Sequence, residues 1–225
     1  PPDQRPLLIA HRYGNKLQLI DEATQAGADV IEIDVWFHRG QLEVGHDKTL
    51  GPIPLRWDRW SLALGRNRPL TLPEVLSRFP QHVEPMLDLK GTDPRLPTAL
   101  RALLAQHFTG RPYMVSSQNW DALEHFLDDP NARVVRSAGS TQALHLLQDQ
   151  FADWPGAGGG LNHKLIAPGE IEALRHHTNL VLTWTVNNLP LAHQLTASGV
   201  TGIISDNLEV IRAIRAQHPD QPTSE

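Results

Sequence analysis

Residues 7–47 read LLIAHRYGNKLQLIDEATQAGADVIEIDVWFHRGQLEVGHD, from Leu7 to Asp47. Three runs in this stretch read as strands. Residues 6–10 (PLLIA) are almost wholly apolar, and residues 30–37 (VIEIDVWF) are apolar at Val30, Ile31, Ile33, Val35 and Phe37. Residues 41–45 follow a turn at Gly40 and are the expected hairpin partner of the second run. Between the first two runs, Leu17, Leu19, Ile20, Ala23 and Ala26 keep close to helical spacing, and Gly27 ends that segment. The polar exceptions in the second run, Glu32 and Asp34, lie two apart and so share one face of the strand. His11 follows the first run and His46 the third.

Outward from this stretch the chain alternates. Residues 50–69 hold several Gly and Pro together with Trp57 and Trp60, and are expected to form a long loop. Residues 71–79 open with Thr71, Pro73 and Glu74, a helix start. Strands are then expected at 83–90, 112–117, 132–136, 157–161, 180–186 and 200–205. Helices are expected at 94–107, 119–127, 141–151, 168–177, 189–198 and 208–217. With the first stretch this makes eight strand–helix units. Alternating strands and helices predict a parallel sheet, and eight units predict its closure as a (β/α)8 TIM barrel, with a small hairpin inserted after strand two. A doubly wound open sheet is the other arrangement compatible with the pattern. No linker or low-complexity segment divides the chain, so one domain over 1–225 is expected.

The composition narrows the function classes. Hydrophobic residues make up 40% and charged residues 20%, which is the composition of an ordinary globular chain. Lys and Arg number 20 against 25 Asp and Glu, a net charge of −5 with no basic stripe, which speaks against nucleic acid as partner. The absence of Cys rules out disulfides, thiolate nucleophiles and Cys-bound zinc. No run reaches the roughly 18 apolar residues of a membrane span, none reads as a signal peptide, and no stable membrane insertion is expected.

Active sites of such barrels gather at the carboxyl ends of the strands. The predicted topology puts there His11 and Arg12, Glu32 and Asp34, Asp88 and Lys90, Ser116 and Ser117, Arg136, Trp184, Asn187 and Asp206. Carboxylates converging on one mouth repel unless a cation neutralises them. An oxygen donor set suits a divalent cation, Mg²⁺ or Ca²⁺. His11 and His46 are suited to proton transfer near neutral pH. Arg12 and Lys90 supply the positive charge a phosphate needs. Cation, acid–base pair and cationic side chains together point to phosphoryl transfer.

Each residue also has an ordinary reading. His11 alone would be structural; its companions at neighbouring strand ends favour chemistry. Asp88 and Lys90 can form a plain ion pair, and Trp184 can belong to the core. Asn187, Asp206 and Asn207 read as helix caps. His38–Gly40 reads as a surface turn, and Ser116 and Ser117 lack the context of a nucleophile. Arg136 is a candidate substrate contact.

The motifs LLIAHR, GADVIEIDV, GQLEVGHD, MLDLKG, WTVN and SGVTGIISD, in this order over residues 7–214, resemble the glycerophosphodiester phosphodiesterases, a family of the phospholipase-C-like phosphodiesterase barrels. The resemblance implies a divalent-cation enzyme that cleaves glycerophosphodiesters to glycerol phosphate and an alcohol. It implies that His11 and His46 are the catalytic acid–base pair, with His11 taken here as base and His46 as acid, and that Glu32, Asp34 and Asp88 are metal ligands. Arg12, Lys90 and Trp184 become substrate-binding residues. The expected partner is a small phosphodiester or phospholipid. The sequence departs from the family in having Tyr13 between His-Arg and Gly14, in lacking the Pro-Glu-Asn-Thr segment, and in using Asp as third acid. Its short spacing from His11 to Gly27 is similar to that of sphingomyelinase D, which leaves a cyclic phosphate as product; the Cys-bridged loop of those enzymes has no counterpart here. A phosphodiester-binding barrel without turnover is the third function considered.

Overall fold

The computed structural model describes residues 5–45, 69–167 and 169–218, and the backbone alone of 48–49, 55–58 and 61–64. β1 (Leu7–Ala10) leads through a 3-10 turn (Tyr13–Asn15) into α1 (Leu17–Gln25) and β2 (Val30–His38). β3 (Gln41–Val44) folds back on the far end of β2 through the turn at Arg39 and Gly40, both with positive φ. β4 (Lys48–Thr49), β5 (Leu55–Asp58) and β6 (Ser61–Leu64) form a separate antiparallel sheet. β7 (Leu70–Thr71) pairs with β3 and leads into α2 (Leu72–Leu76), which starts where expected, at Thr71, with a Thr71–Glu74 capping box. There follow β8 (Glu84–Leu89), α3 (Leu96–His107), β9 (Tyr113–Ser117), β10 (Ala132–Ala138), α4 (Thr141–Asp149), β11 (Gly158–Asn162), α5 (Glu170–Arg175), β12 (Val181–Trp184), α6 (Leu189–Ala197), β13 (Gly202–Ser205) and α7 (Leu208–Gln217).

Eight of these strands are parallel neighbours in the order β1-β13-β12-β11-β10-β9-β8-β2. The pairs Ile9–Val30 and Ala10–Ile31 join β2 back to β1 and close the ring. This is the (β/α)8 barrel the alternation predicts, with the β2–β3 hairpin where the sequence places it. Two expectations need correction. Residues 119–127 form a 3-10 helix (Trp120–Phe126) rather than an α-helix. The loop expected over 50–69 contains β5 and β6, separated by two residues. LRWD alternates apolar and polar residues, a strand signal hidden by the surrounding Gly and Pro.

The period of two along each strand sorts the side chains into two layers. Ile9, Val30, Met86, Met114, Val135, Leu182 and Ile204 form a cluster inside the barrel, one from each of seven strands. The larger cluster, including Leu8, Ile31, Leu87, Val115 and Ile203, lies between strands and helices. β11 contributes glycines instead: a Cβ on Gly158 would sit 2.7 Å from the Leu180 carbonyl oxygen, and one on Gly160 would sit 3.2 Å from Val135 Cγ1. At the amino end of the barrel Asp29 ties three parts of the chain together. It accepts from Arg5 at 2.5 and 2.9 Å, from Arg215 at 2.5 Å and from the Leu8 N–H at 2.9 Å. Burial would raise the Asp29 pKa, but these donors outweigh it and hold the carboxyl below its ordinary range.

Candidate active site

The interior apolar residues lie toward the amino end of each strand. Two residues further along, the same face carries polar groups: His11 after Ile9, Glu32 after Val30, Asp88 after Met86, Ser116 after Met114, Trp184 after Leu182, and Asp206 after Ile204. The barrel's own periodicity therefore delivers a polar ring at the carboxyl mouth. Asp34 and Lys90 stand one step higher on β2 and just beyond β8.

Glu32 and Asp34 are buried, 3% and 0% exposed, and Asp88 is partly buried. Carboxylate oxygens of the three lie within 4.8 Å of one another, as the register Asp34–Asp88 between β2 and β8 requires. Lys90 Nζ is 2.8 Å from Asp34 Oδ1 and donates to Asp88 Oδ2. Ser116 Oγ donates to Asp88 Oδ1 at 2.8 Å. Burial, and then the negative charges of Asp34 and Asp88, push the Glu32 pKa well above its ordinary value. Burial would lower the Lys90 pKa, but Asp88, Asp34 and Glu32 outweigh it and raise it. The ammonium cancels one of three negative charges. Arg12 lies 3.9 Å from Asp34, yet burial and the neighbouring carboxylates still disfavour the charge on Glu32; a divalent cation would offset that charge, and the all-oxygen donor set suits one.

Arg12 has a left-handed backbone, φ 64°, a conformation that costs an L-residue roughly 1–2 kcal/mol. It directs the Arg12 N–H onto Glu32 Oε2 at 2.6 Å. The Arg12 guanidinium reaches the rim, with Nε 3.9 Å from Asp34 Oδ2. Gly14 follows, pressed against β2 so closely that a Cβ would lie 2.3 Å from Ile33 Cγ1 and 2.9 Å from the Glu32 carbonyl oxygen. That approach sets Asn15 beside Asp34. Its Nδ2 donates to Asp34 Oδ2 at 2.7 Å, and its Oδ1 accepts from the Asp34 N–H at 2.9 Å.

His11 Nδ1 lies 2.6 Å from Asp206 Oδ1. Trp184 stands at the end of β12 where a Cβ on Gly139 or Gly160 would lie 3.4 or 3.9 Å from its ring, and its buried indole N–H has no partner among the described residues. His46 falls outside the described residues. The structure thus brings Glu32, Asp34, Asp88 and Lys90 into contact, places Arg12 against two of them, and sets His11 and Trp184 on the same mouth.

Arg136 is corrected. It is on the outer face of β10, fully buried among the rings of Phe151, Trp154 and Trp120, with its Cζ 4.8, 5.0 and 5.2 Å from their centroids. Burial lowers its pKa to about 10. Its even parity with Val134 and Ala138 turns it away from the mouth, so it is no substrate contact. Asn15 was missed by sequence reasoning; its only signal was the Gly-Asn pair one residue beyond His-Arg. Asp206 and Asn187 were read as caps, but Asn207 caps α7 and Asn188 caps α6.

A (β/α)8 barrel with three carboxylates, a lysine and a histidine at its carboxyl mouth has the layout of an enzyme active site. The model of the glycerophosphoryl diester phosphodiesterase family matches residues 66–210, more than half of the chain, and the chain belongs to that family. The enzyme class expected from the sequence is the class of that family. No curated protein matches the chain in sequence. Among solved structures, a phosphodiesterase from Oleispira antarctica in complex with the product sn-glycerol-3-phosphate has a TM-score of 0.77 at 21% identity, over 94% of this chain and 97% of that one. Glycerophosphodiester phosphodiesterases from Parabacteroides distasonis and Thermotoga maritima both have TM-scores of 0.71, at 22% and 19% identity. They align over 95% and 94% of this chain, and over 99% of their own. At such identities the likeness speaks for the fold. Among the described residues no helix is long and apolar enough to cross a membrane.

Proposed function

We propose that this chain hydrolyses glycerophosphodiesters to glycerol phosphate and an alcohol, with a divalent cation, Mg²⁺ or Ca²⁺, held by Glu32, Asp34 and Asp88. The observation that supports it most is the acidic triad, two of its three carboxylates buried, with their oxygens within 4.8 Å of one another. When bound, the cation supplies Lewis-acid stabilisation of charge on phosphate oxygens. The protein's own groups do the rest. Lys90 and Arg12 flank the triad and orient the phosphodiester by charge. His11 takes the proton of the attacking water as the water oxygen bonds to phosphorus. The P–O bond to the alcohol breaks, and the alcohol leaves with a proton from His46. The role of His46 rests on its place in the sequence alone. Trp184, partly buried at the end of β12, offers its ring to the substrate at the rim.

Phosphorus NMR of the protein with glycerophosphocholine and Mg²⁺ or Ca²⁺ tests this reading. Glycerol phosphate should accumulate and should cease to form on adding a chelator. Turnover that survives complete chelation would sink the cation's role. A cyclic phosphate from lysophosphatidylcholine, with glycerophosphocholine untouched, would replace hydrolysis by attack of the substrate's own hydroxyl.

A further inference from the structure

Asp206 stands directly after β13 and Asn187 shortly after β12, and neither does the work its position suggests. The first turn of α7 is capped by Asn207, whose side chain accepts from the Glu209 N–H at 3.0 Å. The first turn of α6 is capped by Asn188, which accepts from the Leu191 N–H at 3.1 Å. Asn187 and Asp206 turn toward each other instead. Asn187 Oδ1 accepts from the Asp206 N–H at 2.8 Å and from Ser205 Oγ at 3.1 Å. Its Nδ2 donates to Asp206 Oδ2 at 3.2 Å. The Tyr13 hydroxyl donates to the Asp206 carbonyl oxygen at 3.1 Å. Backbone and one carboxylate oxygen of Asp206 are thereby held, and the other oxygen is left to His11 Nδ1 at 2.6 Å.

We infer that Asp206, gripped by Asn187, is a positioning residue for His11, fixing the imidazole as the Nδ1–H tautomer so that Nε2 is the nitrogen free to take a proton. The hydrogen bond to His11 is the main cause that holds the Asp206 carboxyl below its ordinary pKa; Asn187 and Arg12 add to it against burial. An ionised carboxylate only accepts, so the proton in that hydrogen bond sits on Nδ1. In a neutral imidazole the lone pair is then on Nε2. The inference rests on the proposed role of His11 as proton acceptor and deepens it: it names the group that gives His11 that role rather than the reverse one.

The test compares wild type, H11A, D206A, D206N and the D206A/H11A double variant. Nitrogen-15 NMR of the imidazoles, with H11A assigning the resonance, reads the tautomer and needs no turnover. Kinetics use glycerophosphocholine with Mg²⁺. In wild type His11 should show Nδ1 protonated and Nε2 not. D206A should lose that preference and lower kcat ~10²-fold, with KM changed by less than about threefold. Added to H11A, D206A should cost less than about twofold more, because it acts through the ring. D206N keeps the shape of the side chain and serves should D206A unfold; it should show the same tautomer loss and a lowered kcat. A His11 tautomer and kcat unchanged in D206A or D206N, beside an inactive H11A, overturn this inference alone. So does a D206A effect as large in H11A as in wild type, which would mark a merely structural role. A folded, fully active H11A overturns the reading on which the inference rests.

Discussion

Asn15→Ala takes two hydrogen bonds from one buried residue. The first, from Asn15 Nδ2 to the Asp34 carboxylate, is 2.7 Å long; the second, from the Asp34 N–H to Asn15 Oδ1, is 2.9 Å. A hydrogen bond to a charged group contributes about 1.5–3 kcal/mol, and a buried N–H left unpaired costs about 1–3 kcal/mol. Asp34 is fully buried, but Asn15 is only partly so. Water can therefore reach part of the space left by the amide, and the lower end of each range applies. The expected loss is about 2–3 kcal/mol. In a protein of this size each kcal/mol moves Tm by roughly 2–4 °C, so Tm should fall by about 4–12 °C. Thermal unfolding followed by circular dichroism, without added metal, measures it. Calorimetric titration with Mg²⁺ measures the second consequence. Asp34 without its amide keeps Lys90 on Oδ1 but loses the donor that fixes Oδ2, and losses of roughly 10–100-fold in affinity are usual when such a support is removed. A Tm within about 1 °C of wild type together with an unchanged Mg²⁺ isotherm would refute the idea that Asn15 orients Asp34.

Four further outcomes follow from the same geometry. Gly14→Ala should destabilise by about 1–3 kcal/mol through overpacking, because its Cβ would fall 2.3 Å from Ile33 Cγ1; an unshifted unfolding curve would contradict the close approach. Asp88→Asn should weaken Mg²⁺ binding about 10-fold or more in a calorimetric titration, and an unaltered isotherm would remove Asp88 from the ligand set. Asp29 is lowered in the folded state, so its stabilisation is complete above the ordinary carboxylate pKa of about 3.9 and is lost as pH falls through the folded value. Asp29→Asn should therefore melt below wild type at pH 7, the gap should close in the acid range, and a gap constant from neutral to strongly acid pH would be the contrary result. Arg136→Met, on the outer face of β10, should leave kcat and KM for glycerophosphocholine within about twofold of wild type; a KM raised far beyond that would return Arg136 to the mouth.

The barrel was legible because its signal is local and repeated. Apolar runs such as LLIA, VIEIDV and GIIS, each followed by a helical pattern, need only chain chemistry to be recognised, and their order leaves few topologies. The acids were legible for the same reason. Glu32 and Asp34 interrupt an otherwise apolar strand at a spacing of two, and in a closed barrel that spacing turns both toward the lumen or mouth. Where reading failed, the local signal pointed to the wrong partner. Asp206 and Asn187 precede helices and have the side chains of caps; that the next residue in each case, Asn207 or Asn188, takes the cap depends on a one-residue choice that propensity does not resolve. Arg136 sits at a strand end but one position out of phase with interior Val135, so its side chain faces the helices. β5 alternates, but it and β6 are embedded in Gly- and Pro-rich sequence.

By itself, then, the sequence determined the closed parallel barrel, the face on which the chemistry gathers, and the identities of the acidic triad, Lys90 and the histidine after β1. These follow from periodicity, which is written residue by residue along the chain. Tertiary structure alone decided what those residues touch. Asn15 meets Asp34 because Gly14 lets the chain press against β2, and His11 meets Asp206 because β13 is the neighbour of β1 once the ring closes. Those two residues are 195 positions apart. No local pattern encodes such a pair; it exists only when eight strands share one circle and their ends face a common centre.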